Sequence, residues 1–472
     1  MTHAANRFRG IRVKMGVDEK ENLMAWERKI MRIVRVRNSQ KKGVLAKLLT
    51  AIAEAGGNTG SLMLLTETSQ HVVRDITVTA DDEQSLKAVL QAMEKMEDTK
   101  VIEVRDEVLE LHQKGKIAIR SRYPIESLTT LRRVYTPGVA EVCLRIAKDP
   151  SQARLYTSIS HMVAIVTDGT AVLGLGDIGP LGGMPVMEGK AMLMETLVGL
   201  SGIPILLNTK DPDEIVNAVA AIAPTFAAIQ LEDISAPRCF EIEERLQAML
   251  DIPVMHDDQH GTAVVCTAAL MVATRETGTD LNKAVIGQIG LGAAGHAIGR
   301  MLMRLTGNPV HGADLSPDAL ARFEAEGGVK SNLNDIMAKC DIVIATTGAP
   351  NLIKPEMVRK GQIILALSNP NPEIDPDVAM ERGAAFAADG KSVNNVLGFP
   401  GIFRGAVDAY APRITHEMYL AAAKTIAEMT PPGELVPSPL DKKVHLAVAR
   451  AVAETAIQQG IARADYVPYV EE

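Results

Sequence analysis

Two pairs of adjacent acids stand out in apolar surroundings. FAAIQLEDISAP carries Glu232 and Asp233 at the end of a strand-like run, and PVMHDDQHGTAVV carries Asp257 and Asp258 after another short strand. Neighbouring carboxylates repel each other unless a cation or a proton intervenes. Three or four such oxygens suit a hard divalent ion, Mg²⁺ or Mn²⁺, with positions left open for a substrate. One pair alone reads equally well as a helix cap, since each precedes helical sequence. Two pairs, each closing a strand, favour a metal. His256 and His260 flank the second pair, but no further nitrogen or sulfur ligand follows at a zinc-like spacing, so they read as supporting or structural histidines.

A second signal concerns phosphate. Gly290-Leu291-Gly292-Ala293-Ala294-Gly295 follows the strand AVIGQI and opens the amphipathic stretch HAIGRMLMRL. In such a G-x-G-x-x-G the first glycine makes the tight turn, the second lets backbone approach a pyrophosphate, and the third lets helix and strand pack closely. The helix start then offers free N–H groups to phosphate. The next strand, PVHGAD, ends in Asp314, 19 residues beyond Gly295, where an acid bonds the adenosine ribose hydroxyls. Asp314-Leu315-Ser316-Pro317 has no adjacent Arg or Lys for a 2′-phosphate, which favours NAD over NADP as cofactor and leaves NADP as the alternative. The strand DIVIATTGAP ends in small residues, as expected where backbone passes beneath a cofactor.

These groups need a large α/β scaffold. At 472 residues and 47% hydrophobic content the chain is globular and long enough for about three domains. A net charge of −8 and 3% aromatics argue against nucleic acid as a partner. An acidic protein that handles an acidic substrate must neutralise it locally. Cys143, Cys239, Cys266 and Cys340 form no CxxC pair, so they read as thiols in a reducing, cytoplasmic setting. No apolar run is long enough to suggest a membrane span. Residues 1–29 read as a tail. Residues 30–108 form a βαββαβ, ferredoxin-like block. The charged stretch EVLELHQKGKIAIRSRYP reads as a helical linker. An α/β substrate domain occupies 109–280, a doubly wound Rossmann-type domain 281–409, and a helical segment packing back on the catalytic domain 410–472.

Six segments in order make the reading specific: YTPGVAEVCL, TDGTAVLGLGDIGPLGGMPVMEGKAML, LEDISAP, HDDQHGTA, LSNPNPEI and NNVLGFPGIFRGA. Together they resemble the signature segments of malic enzymes, in particular the shorter bacterial form, over roughly Arg120 to Arg463. The block before them resembles an ACT domain, a regulatory module that often binds an amino acid; a ferredoxin-like dimerisation unit without a ligand is the equal alternative. The resemblance implies oxidative decarboxylation of malate to pyruvate and CO₂ with reduction of NAD, and a homodimer or higher homo-oligomer. By motif position it implies Lys190 as general base with Asp257 beside it, and Tyr135 as the acid that protonates the product enol. It implies Glu232, Asp233 and Asp258 as metal ligands. Asn369 and Asn395 are implied to touch substrate or nicotinamide, with Gly290, Gly292, Ala293, Ala294, Gly295 and Asp314 holding the dinucleotide. Taken separately, Lys190 reads as a helix-surface residue, Tyr135 as a turn residue before Pro137, and the asparagines as turn residues.

One departure matters. Larger members of the family carry, near TDG, an arginine that binds a substrate carboxylate, whereas this chain has Thr170-Ala171-Val172. Backbone N–H groups, Lys190 or a partner subunit must then hold that carboxylate. A metal-independent amino-acid dehydrogenase and an amino-acid sensor with an inactive body are the rival readings, and for both the carboxylate cluster is surplus.

Overall fold

The computed structural model describes residues 30–172 and 175–469; the expected tail, 1–29, lies outside them. The described chain forms two compact units that divide after Lys116.

In the first unit, alternating apolar residues make β1 (Ile30–Ser39), β2 (Asn58–Glu67), β3 (His71–Ala80) and β4 (Thr99–Arg105). They join in one antiparallel sheet of order β2-β3-β1-β4. Helices Val44–Glu54 and Glu83–Glu94 cover one face, where Val34, Val36, Ile76 and Val78 pack with Leu48, Ile52, Val89 and Met93. On the other face Asp75 is nearly buried. It accepts two hydrogen bonds from Arg35, at 2.8 and 2.9 Å, and one from Arg105 at 2.6 Å. The Arg35 guanidinium chiefly holds that carboxyl below the ordinary range. β2 is exposed along its whole length. The chain beyond β4 departs from the helical linker expected from its charges. Helix Glu107–His112 ends after six residues, because Lys114 and Gly115 both take positive φ and reverse the chain.

The second unit opens on an arm of three helices, Leu128–Val134, Val139–Lys148 and Ala153–Tyr156, none of which buries a residue. Leu128, Leu144 and Leu155 are each more than 70% exposed. Parallel sheet follows: β5 (Met162–Thr167), β6 (Ser201–Leu206), β7 (Ala228–Leu231) and β8 (Val254–His256), in the order β6-β5-β7-β8. These strands are continuous apolar runs because helices cover both faces. β9 (Ile286–Ile289), β10 (His311–Ala313), β11 (Val329–Lys330), β12 (Ile342–Ala345), β13 (Ile363–Ala366) and β14 (Phe386–Asp389) make a second parallel sheet. Its order, β11-β10-β9-β12-β13-β14, is the doubly wound one, with its switch point between β9 and β12. Helices Phe399–Asp408, His416–Met429 and Lys442–Gln458 return to pack on helices Gly179–Val198 and Asp257–Thr277. No helix among the described residues is long and apolar enough to cross a membrane.

Candidate active site

Glu232 and Asp233 lie just past the end of β7, and Asp257 and Asp258 begin the helix that leaves β8. Because β7 and β8 pair in parallel, both acid pairs emerge at the same sheet edge. Glu232, Asp233 and Asp258 each bring one oxygen to within 4.8 Å of the others. Asp233 takes a φ of 55°, a left-handed conformation uncommon outside glycine and frequent at functional positions. Its N–H donates to Asp258 Oδ2 at 2.9 Å, which ties the two pairs together.

Lys190 comes from the middle of helix Gly179–Val198. Its Nζ donates to Asp257 Oδ2 and lies 3.0 Å from Glu232 Oε1, with the Phe399 ring 4.4 Å away. Asn395 Nδ2 also donates to Asp257 Oδ2, at 2.9 Å. Burial works against the Lys190 ammonium, but Asp257 and Glu232 outweigh it and hold its pKa above the ordinary lysine range. Burial and the crowding of neighbouring acids push Glu232 well above the ordinary carboxylate range. One ammonium thus stands among four carboxylates. Asp257 Oδ1 and Asn395 Oδ1 are buried with no hydrogen-bond partner. This surplus of hard oxygen donors fits a divalent cation held by Glu232, Asp233 and Asp258.

The dinucleotide turn also has the expected geometry. Gly290 has φ +86°, and a Cβ there would lie 2.7 Å from the Thr346 carbonyl oxygen; one on Gly295 would lie 1.9 Å from the Gly290 oxygen. A Cβ on Gly292 would meet nothing within 4 Å, which leaves the start of helix Ala293–Thr306 open to a phosphate. Asp314 anchors this turn: Oδ2 accepts from Leu291 N–H at 2.6 Å and Oδ1 from Ser316 N–H at 2.8 Å.

Two expected residues form no hydrogen bond or ion pair with this cluster among the described residues. Tyr135 follows helix Leu128–Val134 on the exposed arm, is 65% exposed, and makes no contact with Lys190 or the acids among the described residues. Asn369 is exposed beyond β13, in a cis bond to Pro370.

Sequence reasoning also missed residues. Glu243, buried on helix Arg238–Met249, accepts from His256 N–H at 2.7 Å, Gln259 Nε2 at 3.0 Å and His260 Nε2 at 3.1 Å. One carboxylate therefore grips the chain on both sides of Asp257 and Asp258. His260 also stacks on Tyr419, with ring centroids 4.7 Å apart. Gly261 is the other: a Cβ there would lie 2.0 Å from Asp257 Oδ1 and 2.6 Å from Asn395 Oδ1. The loop that lacks an arginine of its own receives Arg238. That guanidinium is committed to Asp168 and to the hydroxyls of Thr170 and Ser235, each at 3.0 Å.

The chain matches the family model for the malic enzyme N-terminal domain over residues 114–247. It matches the model for the malic enzyme NAD binding domain over 318–458. It is 54% identical over 430 residues to NAD-dependent malic enzyme 1 of Bacillus subtilis, an alignment covering 91% of this chain and 98% of that one. It is 44% identical to NAD-dependent malic enzyme of Geobacillus stearothermophilus, with 89% and 93% covered. Among solved structures it is similar to malic enzyme from Pyrococcus horikoshii, with a TM-score of 0.72 and 40% identity over 76% of this chain and 92% of that one.

Proposed function

Since the chain belongs to the malic enzyme family, we propose that it converts malate to pyruvate and CO₂ at the cluster around Lys190, with NAD as the oxidant. The observation that carries this reading is Lys190 Nζ lodged between Asp257 and Glu232, beside the three converging carboxylates. A divalent ion held by Glu232, Asp233 and Asp258 would supply Lewis acidity to a bound hydroxyl and carboxylate, and positive charge that opposes protonation of Lys190. NAD held at the Gly290–Gly295 turn would supply the acceptor for the hydride that leaves C2 of malate.

Lys190 accepts the proton of the C2 hydroxyl as that hydride departs. Asp257, fixed by Asn395, keeps the amine aimed at the hydroxyl, and Phe399 shields it from water. Loss of the C4 carboxylate as CO₂ leaves an enol that needs a proton on C3, the role of Tyr135. An exposed tyrosine with no contact to its own Lys190 must come from elsewhere, so Tyr135 serves the site of a second copy of the chain. The uncovered apolar arm that carries it supports this reading, since helices that bury no residue gain little stability alone.

The first unit acts as a regulatory, ACT-like domain. A surface hollow of about 380 Å³ at the turn between β1 and the following helix is lined by Asn38, Gln40, Lys41 and Arg74, among others. Asn38, Gln40 and Lys41 donate to Thr99, Glu67 and Asp98, and the Arg74 guanidinium, which no acid engages among the described residues, suits the carboxylate of an amino-acid effector.

The test follows absorbance of reduced cofactor with malate, comparing NAD with NADP, each with Mn²⁺ and with EDTA. NAD-dependent turnover that yields pyruvate and disappears with EDTA is the expected result. Lys190→Ala should lower turnover by at least about a hundredfold while NADH still binds; unchanged turnover would sink the assignment.

A further inference from the structure

Glu373 is fully buried, between the loops that leave β12 and β13, the first of which borders the switch point. Its Oε1 accepts from Thr347 N–H at 2.6 Å, Thr347 Oγ1 at 2.8 Å and Ser368 Oγ at 2.5 Å, and its Oε2 accepts from Ser368 N–H at 3.3 Å. Thr347 follows β12 and Ser368 follows β13, so one carboxylate ties together the loops beyond both strands. The first of these loops also lies against the dinucleotide turn, since a Cβ on Gly290 would reach the Thr346 oxygen. Glu373 is the acceptor in all four bonds, the pattern of an ionised carboxylate. No Lys, Arg or His among the described residues forms an ion pair with it. Buried charges are ordinarily paired with an opposite charge. Here every donor is neutral, and the charge sits where a doubly wound sheet receives its ligand.

We propose that Glu373 biases the site toward the oxidised cofactor: its buried, uncompensated negative charge stabilises the cationic nicotinamide ring of NAD⁺ relative to the neutral ring of NADH. In a low-dielectric interior a charge acts over several ångströms without direct contact, so the effect needs no hydrogen bond to the ring. The bias favours binding of the form that malate oxidation consumes and release of the form it produces. This inference rests on the dinucleotide site and is independent of which hydroxy acid is oxidised.

Glu373→Gln keeps the shape of the side chain and removes its charge. With the full-length protein, calorimetric titration of NAD⁺ and of NADH, without malate, should show the Kd for NAD⁺ rising about tenfold and that for NADH by less than roughly threefold. Ser368→Ala removes one donor and keeps the charge, so it should move both constants together and leave their ratio unchanged. A Glu373→Gln protein that binds both forms with the wild-type ratio would overturn the proposal and reduce Glu373 to a loop tether. If that variant does not fold, the wild-type ratio decides: NADH bound more tightly than NAD⁺ would overturn it, and NAD⁺ bound at least as tightly would support it. Wild-type protein that binds neither form would overturn the dinucleotide reading, and this proposal with it.

Discussion

Gly261 lies within a helix, where alanine is ordinarily preferred by about 1 kcal/mol. Here the added carbon would fall on Asp257 Oδ1, so Gly261→Ala must displace either that carboxylate or the Asn395 amide. The expected outcome is turnover lowered by about a hundredfold or more, with a melting temperature at or below that of the wild type, because overpacking of about 1–3 kcal/mol offsets the helix preference. Wild-type turnover in this variant would show that the Asp257–Asn395 pair has room to move. At this scale the legible residues were those whose chemistry is unusual for their place. Two acids together at the end of an apolar strand pointed to a carboxylate cluster, which Glu232, Asp233 and Asp258 form, and glycines spaced G-x-G-x-x-G pointed to the strand–turn–helix unit found there. Glu243 was hidden because helix Arg238–Met249 also carries Glu241 and Glu244, which face outward. Its signal was positional: Glu243 shares the apolar stripe with Cys239, Ile242 and Leu246, where an acid is out of place. Gly261 gave no local signal, since the atoms it spares belong partly to Asn395, far along the chain.

Among the elements, helix His416–Met429 carries a pH-dependent contact. His416 Nε2 lies 2.9 Å from Arg300 Nη2, and burial first, then Arg300 and Arg304, lower its pKa from 6.5 to about 4. Below pH 6.5 the unfolded chain takes up a proton there that the folded chain refuses until about pH 4, so stability falls as pH drops through that window. Urea unfolding at neutral pH and at about pH 5 should show a larger loss for the wild type than for His416→Gln; equal losses would refute the role of His416. The parallel strands were legible because both of their faces are covered and their apolar runs are unbroken. The stretch after Glu107 was misread because charged residues at helical spacing say nothing about backbone sign, and the positive φ of Lys114 and Gly115 ends the helix. The exposure of Tyr135 was equally out of reach, since the motif around it is the same whether its own chain or another covers it.

For the molecule as a whole, the reading of Tyr135 makes each site a joint product of two chains. Lys190→Ala and Tyr135→Phe, each nearly inactive alone, should regain up to about a quarter of wild-type turnover when unfolded and refolded together, because each mixed pair then holds one intact site. Mixtures no more active than their parents would place Tyr135 in its own chain's site or outside the chemistry. Asp314 also bears on how coenzyme preference could drift. Its carboxylate pins the glycine turn through the Leu291 N–H and, in the dinucleotide reading proposed above, would also repel a 2′-phosphate, so replacing it to welcome the phosphorylated coenzyme would loosen the grip on either. An evolutionary route between the two coenzymes therefore has its open step next door, at Leu315, a fully exposed side chain that a basic residue could replace without disturbing the turn.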